Sequence, residues 1–148
     1  MSEFEQAPTL AAVRRILLLV LVVGMLGTAT ELLLLKHDEG PLQLIPLVLL
    51  GGALGASVWQ MVKPGRASLG TLQIMMLLFI LAGVLGMYFH FGANVQFQRE
   101  VDPSIAGMAL FWKAMTSKTP PALAPGSLAQ LGLIGLAYSY RHPSVSPF

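Results

Sequence analysis

The feature that most constrains this chain is a set of apolar runs long enough to cross a lipid bilayer. The first covers residues 13–35 and includes the stretch ILLLVLVVGML. As a helix, a run of this length extends about 34 Å, and the hydrocarbon core of a bilayer is roughly 30 Å thick. Two further runs cover residues 42–62 and 69–91. The pattern predicts an integral membrane protein.

The low charge content agrees with lipid as the solvent of this chain. Charged residues make up 11% and hydrophobic residues 55% of the 148 positions. An ordinary soluble domain carries roughly 25% charged residues. This chain has too few of them to form a polar surface. The net charge of +2 comes from scattered cations without a basic block. We therefore expect a lipid bilayer as the environment and no nucleic-acid partner.

A fourth, shorter segment is predicted over about residues 126–141. It contains SLAQLGLIGLAYSY, with Tyr138 and Tyr140 placed where aromatic side chains anchor a span at the membrane interface. Pro125 predicts a break in the chain just before it. We interpret the segment as a short span, and a re-entrant or half-buried helix is the alternative.

The long connection before this segment, residues 92–125, contains a predicted helix over residues 103–117. Asp102 is the expected N-cap and Pro103 the expected first helical residue. A stripe at helical spacing follows: Ile105, Met108, Ala109, Trp112 and Met115. Such a helix either lies in the plane of the membrane interface or docks on the ends of the spans.

The predicted fold is all-α: an integral membrane four-helix bundle with an additional amphipathic interfacial helix, in a single transmembrane domain over residues 1–148. A cleaved secretory signal is the alternative for the first run, since Arg14 and Arg15 precede it and the small residues GTAT lie within it. The apolar run resumes after Glu31 and reaches Leu35, which is too long for a signal core. We therefore expect an uncleaved span.

The distribution of Lys and Arg predicts the orientation. One side of the topology receives five cations: Arg14, Arg15, Lys63, Arg66 and Arg141. The other side receives four, on longer connections that also carry acids: Lys36, Arg99, Lys113 and Lys118. Because cations close to the span ends weigh most, we expect both termini in the cytoplasm of a multi-pass protein in the plasma membrane, the inner membrane of a bacterium.

Glycines at helical spacing predict close helix contacts. They are Gly51, Gly55, Gly83, Gly132 and Gly135. Small residues let helix backbones approach one another in lipid. We expect these positions to serve packing within the chain, contacts with other membrane subunits, or self-association.

Most acids and two histidines are predicted to gather at the outer face. This polar outer-face cluster comprises Glu31, His37, Asp38, Glu39, His90, Asn94, Glu100 and Gln130. Glu31 lies four residues before the end of the first span, about 6 Å inside it, and Gln130 is expected at a similar depth. An ionisable group within a span is costly unless it is paired, which makes Glu31 a functional candidate.

Four roles remain open for this cluster. The first is a structural hydrogen bond between spans, and the second is a proton-carrying or substrate-binding carboxylate at Glu31. The third is a site for zinc, manganese or iron formed by Glu31, His37, His90 and either Asp38 or Glu39, which offer mixed nitrogen and oxygen ligands. The fourth is a haem with His37 and His90 as axial ligands.

No motif of an enzyme is visible. The chain contains no cysteine, which excludes disulfides, thiolate metal sites and cysteine nucleophiles. It also contains no HExxH, no GxSxG and no phosphate-binding loop. We therefore expect no catalytic residues and no enzymatic activity.

Four spans with one glutamate in the first are similar in outline to the small multidrug-resistance exporters, which work as dimers and exchange protons at that glutamate. The likeness covers only the spacing of the spans. Here Glu31 lies near the end of its span, the third connection is long and partly helical, and Trp59 and Trp112 fall near the interfaces. These departures mean that the exporter activity is not carried over.

Three functions follow as hypotheses. The first is a non-enzymatic subunit, assembly factor or scaffold within a membrane complex, with the helix around Trp112 as a partner dock. The second is a small homo-oligomeric proton-coupled transporter that uses Glu31. The third is an outer-face protein that binds a metal or haem.

Overall fold

The structure is a computed structural model that describes residues 3–36, 40–118 and 120–144, with side chains from Pro8 onward. These residues form helices and no strands. The helices are α1 (Glu3–Leu34), α2 (Pro41–Val62), α3 (Arg66–Val101), α4 (Gly107–Met115) and α5 (Leu123–Ser139). The all-α prediction is confirmed for this part of the chain.

Three helices are long and apolar enough to cross a membrane. They are the Pro8–Leu34 part of α1, α2 and α3. This agrees with the predicted transmembrane character. α5 has 17 residues, which gives a length of about 25 Å and makes it the shortest of the helices that pack together along their length.

The helices pack as neighbouring pairs around a continuous apolar core. α3 packs against α2, α4 and α5, while α1 packs against α2 and α5. The fully buried large side chains of the core are Leu21, Met25, Leu50, Leu69, Leu72, Met76 and Phe79. The core therefore fills the space enclosed by α1, α2, α3 and α5.

Glycine brings α3 and α5 into close contact. A Cβ atom added at Gly132 would lie 2.6 Å from the carbonyl oxygen of Met76. One added at Gly83 would lie 2.6 Å from the carbonyl oxygen of Pro125 and 2.8 Å from the Cβ of Ala129. Real Cβ atoms do not approach backbone this closely, so these positions accept only glycine without a shift of one helix.

The turn between α2 and α3 is held by a buried polar pair. The Ser68 hydroxyl donates to the Oε1 of Gln60 at 2.6 Å, and the Oγ of Ser68 also lies 3.1 Å from the carbonyl oxygens of Lys63 and Gly65. Both side chains are almost completely buried. Since buried polar groups are stabilised by such bonds, this pair fixes where the chain reverses direction.

An arginine of α1 holds the end of α5. The Arg14 guanidinium donates to the carbonyl oxygen of Arg141 at 2.8 Å and lies 3.5 Å from that of Tyr140. The last carbonyls of a helix have no partner within the helix, and a cation is favoured beside them. The bond places the N-terminal part of α1 and the C-terminal end of α5 at the same end of the molecule.

Two predicted boundaries move outward in the structure. α1 begins at Glu3, ten residues before the predicted span, because helix formation does not stop where hydrophobicity does. α5 begins at Leu123 and continues through Pro125. The predicted break at Pro125 is wrong, since this proline is in the first helical turn, where a missing N–H group costs little.

The third span was predicted over residues 69–91, and the helix that contains it is longer at both ends. α3 continues through Gly92 to Val101. A single glycine lowers helix stability by about 1 kcal/mol, which does not end a long helix. The next proline is Pro103, and the helix ends just before it, with Asp102 as its C-cap.

The predicted start of the short helix is also wrong, because α3 occupies the chain up to Val101. Asp102 caps α3 and does not begin α4, whose N-cap is Ala106. The side chain of Asp102 instead accepts hydrogen bonds from the Ser104 hydroxyl at 2.6 Å and the Ser104 backbone N–H at 3.1 Å. Aspartate commonly closes a turn in this way, and here the turn reverses the chain between α3 and α4.

Candidate functional site

Three members of the predicted outer-face cluster lie outside the described residues: His37, Asp38 and Glu39. The metal hypothesis uses two of them and the haem hypothesis one, so both stay predictions. The other five members lie on three helices. Their positions decide how far the cluster is brought together.

Glu31 lies on the outer surface of α1. Its side chain is exposed, while the next residue, Leu32, is buried against the core. The Glu31 carboxylate makes no hydrogen bond or ion pair with the described residues. The sequence suggested a carboxylate shared between spans, and in the described part of the chain Glu31 instead points away from the other helices.

Gln130 lies deeper along the helices than Glu31. It is exposed on α5, directly before Leu131, whose side chain packs against Gly24 of α1. Gly24 and Glu31 are seven residues apart, or about 10 Å along the helix axis. The expected match in depth between Gln130 and Glu31 is therefore not found.

His90, Asn94 and Glu100 follow one another along α3. Asn94 is half-buried and donates from Nδ2 to the carbonyl oxygen of Ala114 at 3.0 Å, which ties α3 to α4. Glu100 is exposed and accepts from the Nε2 of Gln96 at 3.4 Å. It lies ten residues beyond His90, about 15 Å along the axis. Asn94 therefore has a structural role, and Glu100 is far from Glu31.

The described residues contain no group of three or more histidine, aspartate and glutamate side chains that could hold a metal ion. Glu31 is on α1 and His90 on α3, and these two helices are bridged by α2 and α5, each of which contacts both. Two residues of the predicted metal site, His37 and Asp38, lie outside the described residues. The metal hypothesis therefore stays a prediction.

The most distinctive surface is formed by the last turns of α3 together with α4. We call residues 92–101 and Gly107–Met115 the outer arm. Leu110 and Ala114 of α4 are buried against α3, and the rings of Phe91 and Phe111 lie 5.7 Å apart. The exposed apolar residues of the outer arm are Phe97, Val101, Met108, Phe111 and Trp112.

The predicted apolar stripe of α4 is therefore divided between two faces. Ile105, just before α4, is buried, whereas Met108 and Trp112 are 69% and 58% exposed. The residues that dock on α3 are Leu110 and Ala114, which the stripe did not include. α4 docks on α3, and its position at the membrane interface stays a prediction. The exposed part of the stripe is formed by Met108 and Trp112.

The turn at Asp102 fixes the direction of the outer arm. Its two hydrogen bonds from Ser104 hold the pKa of the Asp102 carboxyl below the usual 3.8, with a smaller contribution from the positive charge of Lys113. The folded form prefers the ionised carboxylate, so the contribution of this turn is present above pH 3.8 and is lost as the pH falls below it. The arm is thus held fully at neutral pH.

The five predicted packing glycines separate into two groups. Gly83, Gly132 and Gly135 are buried between α3 and α5, so their surfaces are used within the chain. Gly51 and Gly55 are exposed on α2, and a Cβ atom added at either would meet nothing within 4 Å. Only the second group is available for contact with another chain.

Sequence reasoning missed two functional contacts that depend on pairs distant in sequence. Arg14 was expected only to anchor a span, and its bond to the end of α5 joins residues 127 positions apart. Asn94 was placed in a polar cluster and not on α4. The signal available in each case was a polar side chain beside a helix end, which does not identify the partner.

Comparison with known proteins adds no relative: the chain matches no family model, no curated protein and no solved structure.

Proposed function

We propose that this chain is a non-enzymatic subunit, assembly factor or scaffold of a membrane complex, and that the outer arm binds its partner. The observation that carries the proposal is the exposed apolar surface of the arm, which includes Phe111 and Trp112. Tryptophan and other aromatic side chains are enriched in the energetically important centres of protein interfaces. The arm presents them on two packed helices.

The proposed architecture is a membrane bundle of α1, α2, α3 and α5 in a plasma membrane, the inner membrane of a bacterium. α4 would lie near the outer interface as an amphipathic helix. The packing of α5 against both α1 and α3 supports a fourth crossing. Cations near one end of these helices, among them Arg14, Arg66 and Arg141, support a cytoplasmic location for both termini.

The filled interior favours a scaffold over a transporter that acts as a single chain. Leu21, Met76 and Phe79 are fully buried where a solute path would have to run. Two cavities of the described residues are surface grooves, one lined by α1 and the other by α1 and the end of α5. A path for a solute would therefore have to form between copies of the chain.

One observation favours such a homo-oligomeric transporter as the second candidate. Glu31 is exposed on an apolar helix and has no partner among the described residues. An unpaired carboxylate within a membrane is costly, and a second copy of the chain would offer a partner. In this case Glu31→Gln would abolish transport without changing folding or insertion.

Purification in a mild detergent tests the main proposal. The intact chain is expected to bring along a defined set of membrane proteins, identified by mass spectrometry. Trp112→Ala should lower their yield about tenfold, the effect expected for loss of an interface aromatic. Trp59→Ala is the matched control, because Trp59 is also exposed but lies on α2, away from the arm.

Two results would contradict the proposal. One is a chain that purifies without other proteins, and the other is an equal loss of partners with both tryptophan variants. Elemental analysis and an absorption spectrum of the same sample test the metal and haem hypothesis. Stoichiometric metal or a Soret band would favour that third candidate instead.

A further inference from the structure

A shallow groove lies between the N-terminal part of α1 and the end of α5, at the end of the molecule opposite the outer arm. Its volume is about 220 Å³. The polar residues that line it are Arg14, Arg15, Tyr138 and His142, and Leu18 forms part of its apolar side. Among the residues whose side chains the structure describes, no acidic one lines it.

The two arginines leave donors available to a bound group. Arg14 uses one guanidinium nitrogen, Nη2, for the carbonyl oxygens at the end of α5. A guanidinium has five N–H donors, so Arg14 is held in place while others of its donors remain. Arg15 is exposed and makes no hydrogen bond to the described residues.

Tyr138 adds a polar group that the fold itself does not use. Its side chain is only 5% exposed, yet it lines the groove. Its hydroxyl makes no hydrogen bond within the described part of the chain. A buried tyrosine usually has a partner for its hydroxyl, so the groove presents an unused donor beside two cations.

The pKa of His142 depends on the burial and the charges of the groove. Its ring lies 5.1 Å from that of Tyr138, and its Nδ1 accepts a hydrogen bond from the Ser144 backbone N–H at 3.2 Å. Burial, and then the positive charge of Arg14, hold the pKa of His142 below its usual 6.5. The groove is therefore positive even with a neutral imidazole.

We propose that this groove binds the phosphate group of an anionic phospholipid. Two guanidinium groups and a hydroxyl suit phosphate oxygens, which accept several charge-assisted hydrogen bonds. The site rests on the proposed placement of the chain in a membrane.

A lipid source of the phosphate is favoured over a soluble one by the surface that continues from the groove. Leu18 lies one turn beyond Arg14 toward the apolar part of α1, and Ile16 and Leu19 are exposed on the same helix. A headgroup at the arginines would place its acyl chains along this surface. The arrangement matches the depth at which basic side chains meet headgroups at the end of a span.

The test uses the full chain in nanodiscs of phosphatidylcholine with and without phosphatidylglycerol. Native mass spectrometry measures the anionic lipid retained on release from the disc. Arg15→Gln should lower retention about tenfold and Tyr138→Phe by about threefold, as expected for loss of a charged and of a neutral hydrogen bond. Arg66→Gln is the control, since Arg66 is an exposed cation at the same end that does not line the groove.

A second readout follows His142 by NMR. Phosphatidylglycerol in the groove should raise the pKa of His142, because the bound negative charge opposes that of Arg14. Arg15→Gln should remove this rise, while inorganic phosphate should neither produce it nor displace the lipid.

Three outcomes would overturn the proposal: equal lipid loss with Arg15→Gln and Arg66→Gln, a His142 pKa that is indifferent to the lipid, or displacement of the lipid by inorganic phosphate. The last would assign the groove to soluble phosphates. Failure of the partner-binding proposal has a different signature, since Trp112→Ala leaves the groove intact. A partner yield that Trp112→Ala leaves unchanged, together with normal lipid retention, would contradict the scaffold proposal and not the lipid site.

Discussion

α3 makes two kinds of contact along its length, and they differ in how they are built. Against α5, it uses close approaches to backbone at Gly83 and Gly132. Against α4, it uses one amide hydrogen bond from Asn94 and a pair of aromatic rings. The first contact leaves no room for an added atom, whereas the second consists of side chains that can rearrange.

This difference suggests that the two parts of α3 have different roles, one in stability and one in binding. The contact of α3 with α5 belongs to the buried core, where close packing stabilises the fold. The contact with α4 is surrounded by exposed apolar side chains, including Trp112. A surface that binds a partner has to exclude water only when the partner is present. We therefore expect mutations in the two regions to affect stability and binding differently.

The largest effect is expected at Gly132. In Gly132→Ala the new Cβ would lie 2.6 Å from the Met76 carbonyl oxygen and 3.2 Å from the Ile80 nitrogen. Overpacking of this kind costs about 1–3 kcal/mol, because α5 has to move away from α3. The free energy of unfolding in lipid micelles measures the loss.

Gly51→Ala is the matched control for this change. Gly51 is also a helical glycine, but nothing lies within 4 Å of its added Cβ atom. Alanine is favoured over glycine in a helix by about 1 kcal/mol, so the control should be neutral or stabilising. If both variants lose the same stability, the close contact of α3 with α5 is not what stabilises the fold.

A smaller effect is expected at Asn94. Asn94→Leu removes the donor to the Ala114 carbonyl oxygen, at a cost of about 1 kcal/mol. Hydrogen exchange should become faster in α4, while α1 and α5 keep their protection. Gln96→Leu is the control, because Gln96 is exposed on the same helix and bonds only Glu100. Unchanged exchange in α4 of the Asn94 variant would show that the arm is held by its apolar contacts alone.

The apolar helices and the outer arm also differ in how well the sequence predicted them. The apolar runs predicted the helices that can cross a membrane, since their length is set by the bilayer. α2 is found at Pro41–Val62, close to the predicted 42–62. α3 extends ten residues beyond the predicted end of the third span, because polar residues such as Gln98 and Arg99 continue a helix as readily as apolar ones. Hydropathy therefore indicates which residues can lie in lipid, and it does not indicate where a helix ends.

The candidate site was predicted less well than the fold. The outer-face cluster assumed that residues at similar sequence depth meet, but rotation about each helix axis decides where a side chain points. Leu32, not Glu31, faces the core, and a run of leucines carries no period from which this could be read. The contacts of Arg14 and Tyr138 depend on how α1 packs against α5. No local sequence pattern predicts this packing.

The smallest expected effect concerns His142, at the end opposite the outer arm. Because its folded pKa is lowered, the unfolded chain binds the proton first as the pH falls through 6.5. The last turn of α5 should therefore lose stability below pH 6.5, by about twofold in hydrogen-exchange protection, and keep it above. His142→Gln should remove this dependence, and α4 should not show it. If the hydrogen-exchange protection of this turn decreased as the pH rises, the expected direction of the pH dependence would be wrong.

The central proposal is that the outer arm and the C-terminal end of α5 lie on opposite faces of a membrane, with α5 as a fourth crossing. The natural chain has no cysteine, so single cysteines at Ala67, Gln96 and Pro143, all exposed, can be labelled selectively in intact cells by a membrane-impermeant maleimide. The account predicts labelling at Gln96→Cys alone, with Ala67→Cys and Pro143→Cys labelled only after the cells are opened. Labelling of Pro143→Cys from outside would contradict it, because α5 would then fail to cross.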